Sequence, residues 1–238
     1  MNSLFLSDVK FHWSVVGPAL IWKRLRRSRK IPNLISPKTF NEKILHRILF
    51  DRRDFIPLFS GKLESRQYVL DKTGDSSLLI ELVGTARNTA ELRQLQLPEK
   101  FIAKSNHMSG RTWIHDGTVP LRIEELGNSI AKWCSELGKL QWGYSKVQRV
   151  ALVEHLIESE NGIPEDYKFF CYNGRVHYIQ VDGSRFSGHR RDFFDTDWNH
   201  IDAVLSYQNA ASPPDKPQTL RRMIQLAEQL SAGGSGSV

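Results

Sequence analysis

The chain has 238 residues, is 40% apolar and 25% charged, and carries a net charge of +7. That balance is ordinary for a soluble globular protein with room for one large domain or two small ones. No run approaches the ~20 apolar residues of a membrane span. Two cysteines, Cys134 and Cys171, argue against a disulfide framework. With no compact apolar signal region at the start, the expected compartment is the cytoplasm.

The charge is uneven. Residues 1–70 hold fourteen Lys/Arg against five Asp/Glu, and the remainder is slightly acidic. The excess concentrates in Lys23-Arg24-Leu25-Arg26-Arg27-Ser28-Arg29-Lys30. Such a cluster attracts nucleic acid, anionic lipid or an acidic polymer, or is simply a solvated helix end. Pro18 suits the first position of a helix over 18–29, with Leu20, Ile21, Trp22 and Leu25 on its apolar side. An apolar face with a tryptophan beside a basic one can lie on an anionic membrane surface or pack against the main domain. In that case the protein is peripheral to the inner face of the membrane.

Thr39 with Glu42 three residues on reads as a capping box, and Phe40, Ile44, Leu45, Ile48 and Leu49 follow at helical spacing. A further helix is expected near Lys62–Asp71, ended by Lys72-Thr73-Gly74. Lys62 and Arg66 are four apart and share its face, which suits an anionic ligand or a wet surface. Ser77–Val83 reads as a strand. Asn88 and Glu91 suggest a small capped helix running to Leu97-Pro98.

Pro98–Ile114 is the most informative stretch. Lys104 interrupts the apolar run Phe101-Ile102-Ala103, and an ammonium in a buried strand is costly unless it meets an anion. The loop Ser105–Gly110 and a second strand, Arg111–His115, complete a flap. A lysine with a Gly/Ser loop suits phosphate oxygens; the plain alternative is a hairpin with Lys104 in solvent. An amphipathic helix over 121–137 and the apolar strand Arg149–Ile157, interrupted by Glu154, come next. Asp166–Tyr172 and Arg175–Val181 form a hairpin, because Asn173-Gly174 signals a type I′ turn. Asp182 and Arg185 lie beside it, and Gly183–Asp197 reads as an extended loop or strand edge with an anion-binding task. A last amphipathic helix spans 217–231, and the tail 232–238 has linker composition. No metal-ligand spacing, nucleophile elbow, Walker lysine loop or nucleic-acid motif occurs, so nucleic acid is not the expected partner.

The strings PKTFNEKI, GKLESRQYV, FIAKSNHMSG, EDYKFFCYNGRVHYIQVD and HRRDFFDTDWN, in that order, resemble the TupA-like (teichuronopeptide-biosynthesis) family of the ATP-grasp superfamily over roughly 35–231. The resemblance implies an α+β fold of the ATP-grasp type, with antiparallel sheets and packed helices. It implies ATP and Mg²⁺, and an ATP-dependent carboxylate–amine ligation on an acidic sugar or polysaccharide precursor. Carried over, Lys62 and Lys104 contact the phosphates, and Ser105, Asn106, His107, Ser109 and Gly110 belong to the loop that folds over them. Glu154 and the backbone of Leu156 hold the adenine, and Asp166 meets the ribose. Arg185 faces an acidic substrate or the γ-phosphate.

Three departures stand out, one being that the family's Asp-Lys pair is Gly61-Lys62 here. Met108 occupies a position that is glycine in the family's loop, so poor flap closure is expected. The family also continues into strands bearing its Mg²⁺ ligands, so a last lobe cut short, with weak or absent turnover, is expected. The implied organisation is a basic segment (1–34), a helical region (35–97), a small lobe (98–148), a partial large lobe (149–231) and the tail. The alternatives are a non-catalytic nucleotide- or polymer-binding module and a basic surface binder.

Overall fold

The computed structural model describes residues 17–28, 30–136, 142–158, 164–183 and 188–232. Two compact units divide the chain: Met1–Tyr68 with Leu79–Leu156, and Val69–Leu78 with Ile157–Ser237.

In the first unit, α1 covers Gly17–Ser28. The expected capping box opens α2, Phe40–Phe50. Thr39 Oγ1 accepts from Glu42 N at 3.3 Å, and Glu42 Oε2 accepts from Thr39 N at 2.9 Å. The Glu42 carboxylate also takes the N–H groups of Asn33 and Lys38, and these bonds hold its pKa down to about 2. A short helix, α3 (Phe55–Ser60), was not legible because Pro57 reads as a breaker. In a first turn that ring is harmless, since the N–H there has no intrahelical partner. Next come α4 (Lys62–Thr73), whose first half belongs to this unit, and β1 (Leu82–Ala86).

The strand expected over Ser77–Val83 is displaced. Asp75 Oδ1 accepts from Ser77 N at 3.0 Å, and Ser76–Leu78 winds into a 3-10 turn instead. Short polar side chains compete with the sheet in this way. Asn88 caps the single turn α5 (Thr89–Leu92), much shorter than expected. The flap follows as β2 (Phe101–Ser105) and β3 (Thr112–His115), then α6 (Ile123–Ser135), α7 (Trp142–Ser145) and β4 (Ala151–His155).

The first sheet is antiparallel in the order β1-β4-β2-β3. Period-2 alternation splits it into two faces. Phe101, Ala103, Ala151 and Val153 are buried in one core with Leu92, Leu126, Ile130 and Trp133 from α5 and α6. Gly127 allows the two helices to meet, since a Cβ there would lie 2.0 Å from Thr89 Oγ1. Ile102 pairs with Glu154 and Lys104 with Leu152, so these four share the opposite face.

The second unit holds β5 (Asp166–Tyr172), β6 (Arg175–Gly183), β7 (Arg190–Phe194), β8 (His200–Ile201) and α8 (Leu220–Ser231). They form one antiparallel sheet in chain order. The β5–β6 turn is as expected, with positive φ at both Asn173 (52°) and Gly174 (75°). Ile179, Val181 and Phe194 pack with Leu220, Ile224 and Ala227 of α8. Asp166, Lys168, Gln180, Asp182 and Arg191 lie on the other face by register. Within the stretch expected as an extended loop or strand edge, Gly183–Asp197, Arg190–Phe194 is the strand β7, which pairs with β6.

Candidate functional site

Four charged side chains converge on the open face of the first sheet. Glu154, only 6% exposed, ends the buried run of β4. Its Oε2 accepts from Lys104 Nζ at 2.9 Å and its Oε1 from Arg66 Nη1 at 2.7 Å. Arg66 Nη2 donates to Ile80 O at 2.7 Å, which fixes the guanidinium plane. Lys104, set in an otherwise buried strand, therefore meets its anion within the protein. Lys62, one turn before Arg66 on α4, donates to the carbonyls of Ser105 and of Met108, the latter at 2.9 Å.

Two cations thus pair with one carboxylate and a third, Lys62, lies within its field, leaving a surplus of two positive charges. Burial lowers the Lys62 pKa first, and repulsion from Lys104 adds to it against the pull of Glu154. A site that strains to keep its own cations charged gains most from a polyanion.

The loop after Lys104 has two halves. Ser105, Asn106 and His107 are fully buried. Asn106 ties three segments together: Oδ1 accepts from Leu63 N at 2.9 Å, and Nδ2 donates to Glu64 and to Gln148 O at 3.0 Å each. His107 Nε2 lies 3.1 Å from Glu136 O, and Ser105 Oγ 3.3 Å from His107 Nδ1. These bonds tie the first half of the loop to α4, to Gln148 and to Glu136. Ser109 and Gly110 are exposed, and Gly110 uses a φ of 76° in open space. Among the described residues the N–H groups of Met108, Ser109 and Gly110 have no acceptor, the condition for holding phosphate oxygens. At the departure, Met108, the backbone needs no positive φ and the side chain belongs to the core cluster with Leu126 and Trp133.

Burial pushes the His107 pKa down, with the Glu136 carbonyl opposing. Below pH of about 6.5 the unfolded chain binds a proton that the folded chain refuses, so stability falls as the pH drops. Thermal melts from pH 7.5 to 5 should fall for the wild type and fall less for His107→Gln, provided the variant keeps the bond to Glu136 O.

The remaining expected residues are placed as follows. Leu156 continues past β4 and gives its N–H to Lys100 O at 3.4 Å. Asp166 lies in the second unit at the start of β5, ion-paired with Lys168. Arg185 lies outside the described residues.

A second polar centre was missed at the level of the sequence. Asp182, 2% exposed, accepts from Lys168 Nζ at 2.6 Å, Gln180 Nε2 at 2.9 Å and Arg191 Nε at 2.6 Å. Arg191 also lies over the Tyr207 ring, against which His189 stacks at 3.7 Å. Burial alone would raise the Asp182 carboxyl, but the bonds from Arg191 and Lys168 hold it well below the usual range. The alternation Lys168/Gln180/Asp182/Arg191 across three strands was the available signal, and it needs the register to be read.

For Mg²⁺ the described residues do not fit. Both Glu154 oxygens and both Asp182 oxygens are taken by cationic donors, and among the described residues no three His, Cys, Asp or Glu side chains converge on a metal position. A small divalent ion needs carboxylate oxygens that are free to turn to it.

Residues 42–236 match the model of the family described as TupA-like ATPgrasp. No curated protein and no solved structure matches the chain. The match spans most of the chain and takes in both sheets, the loop and all the charged residues above: the chain belongs to the TupA-like ATP-grasp family.

Proposed function

We propose that this protein binds ATP at the Lys62–Lys104–Arg66 cluster and uses it to join a carboxylate of an acidic sugar or polysaccharide precursor to an amine. The observation that carries the reading is the surplus of two positive charges on a half-buried sheet face, beside a loop with unused N–H groups. Family membership supports a ligase-like role with ATP as substrate.

In this reading a carboxylate oxygen attacks the γ-phosphorus, the bond to the bridging oxygen breaks, and ADP leaves with the electron pair. The amine nitrogen then attacks the acyl carbon, inorganic phosphate leaves, and the nitrogen gives its proton to water. Phosphoryl transfer of this kind asks the protein for position and charge stabilisation more than for covalent chemistry. Lys104 and Arg66 supply charge to the phosphates, with Glu154 keeping them in place. Lys62 shapes the loop through its carbonyls and adds its field. The N–H groups of Met108, Ser109 and Gly110 take phosphate oxygens. The adenine rests along the strand end at Leu156.

Hydroxylamine tests the chemistry, because it captures an acyl phosphate as a stable hydroxamate. Hydroxamate and ADP should appear together when ATP and glucuronate-type acids are supplied. ATP binding with no hydroxamate from any acid would leave a nucleotide-binding module. The engaged state of Glu154 and Asp182 favours that second reading.

A further inference from the structure

Apolar side chains lie bare along the chain from Trp22 to Phe40. Trp22 in α1 is 61% exposed, Ile31 80%, Ile35 97% and Phe40 59%. Ile35 is not bare because its loop is loose. Asn33 Oδ1 accepts from the N–H groups of Ile35 and Ser36 at 3.1 and 2.9 Å. The Glu42 carboxylate takes Asn33, Lys38 and Thr39 N–H, and His46 Nδ1 lies 2.8 Å from Leu34 O. The backbone is pinned on both sides of a side chain that touches almost nothing but water. Soluble surfaces carry scattered apolar residues, but a built loop that holds one out into solvent, with three more bare along the same stretch of chain, marks an interaction segment.

The charge of the same stretch identifies the partner. Between Asp8 and Glu42 there is no acidic residue, while Lys10, Lys23, Arg24, Arg26, Arg27, Arg29, Lys30 and Lys38 are all basic. Nucleic acid would take the cations but has no use for bare Ile31 and Ile35. An anionic lipid surface takes both: head groups attract Lys and Arg, and the boundary with the acyl chains accepts isoleucine and tryptophan. No helix among the described residues is long and apolar enough to cross a membrane.

We propose that the stretch from Trp22 to Phe40 docks this protein onto an anionic membrane surface, with Trp22, Ile31 and Ile35 entering the interface and the basic run held by lipid head groups. The proposal stands apart from the nucleotide reading.

The test is co-sedimentation of the full chain with vesicles of phosphatidylglycerol diluted in phosphatidylcholine. The chain should bind these and leave pure phosphatidylcholine vesicles in solution. High salt should release it, because screening shortens to about 3 Å at 1 M. Ile35→Ser should melt like the wild type and bind about tenfold more weakly, since a buried isoleucine is lost from the interface. Arg26→Glu should weaken binding at least about fivefold. Four results overturn the proposal: no binding to the anionic vesicles, Ile35→Ser binding as tightly as the wild type, equal affinity for a short DNA duplex, or a dimer in solution that Ile35→Ser dissolves.

Discussion

Asp182→Asn is expected to destabilise the second unit by about 3–5 kcal/mol, the range for removing one partner from a buried ion pair. The carboxylate is almost fully buried and is the common acceptor for Lys168, Gln180 and Arg191. Asparagine keeps the shape but turns an N–H₂ toward cationic donors. Lys168 retains Asp166, and Arg191 keeps the Leu205 carbonyl at 3.1 Å and its place over Tyr207, but one neutral amide oxygen replaces the charge and the two acceptors that the donors shared. Urea unfolding at neutral pH checks the figure, and a cost below about 1 kcal/mol would show that the centre is solvated and dispensable. The acid limb gives a second check. A carboxyl held below its ordinary value stabilises the fold fully above the unfolded pKa of about 3.9 and loses that stabilisation as the pH falls. The variant should therefore lose less on acidification than the wild type.

Glu154→Gln should have the next largest effect, about 2–4 kcal/mol without ligand, because three cations are then left facing one another in a half-buried place. Its signature differs from that of Asp182→Asn. Tripolyphosphate should restore most of the lost stability in Glu154→Gln and add less to the wild type, where Glu154 already supplies the counter-charge. Melting temperatures with and without tripolyphosphate decide the matter, and equal gains in both proteins would contradict the view of Glu154 as the stand-in anion.

How much of this could be read beforehand depends on how local the signal is. The Thr39–Glu42 box and the Asn173-Gly174 turn are short-range chemistry and stand where the sequence puts them. The ATP-grasp resemblance and the α+β class rest on several ordered motifs, and the family match carries both. Lys104 was legible as a cation needing an anion, because a charge in a buried strand is costly. Its partner was not. Glu154 lies fifty residues on, and only the pairing of Ile102 with Glu154 puts the two on one face. Asp182 was noted beside the hairpin, but its role as a shared acceptor depends on three strands in register. The place of the Met108 side chain in the core with Leu126 and Trp133 was not legible, because those residues lie on a distant helix. The displaced first strand was lost to one Asp75–Ser77 hydrogen bond, which periodicity does not register.

The central claim is that Lys104 and Arg66 hold ATP phosphates. Isothermal titration of ATP into the wild type and into Lys104→Met tests it most directly. A charge-assisted contact contributes about 1.5–3 kcal/mol, so the wild type should bind and Lys104→Met should bind about ten- to a hundredfold more weakly, with its fold intact by circular dichroism. No ATP binding by the wild type, or equal affinity in the two proteins, would contradict the account.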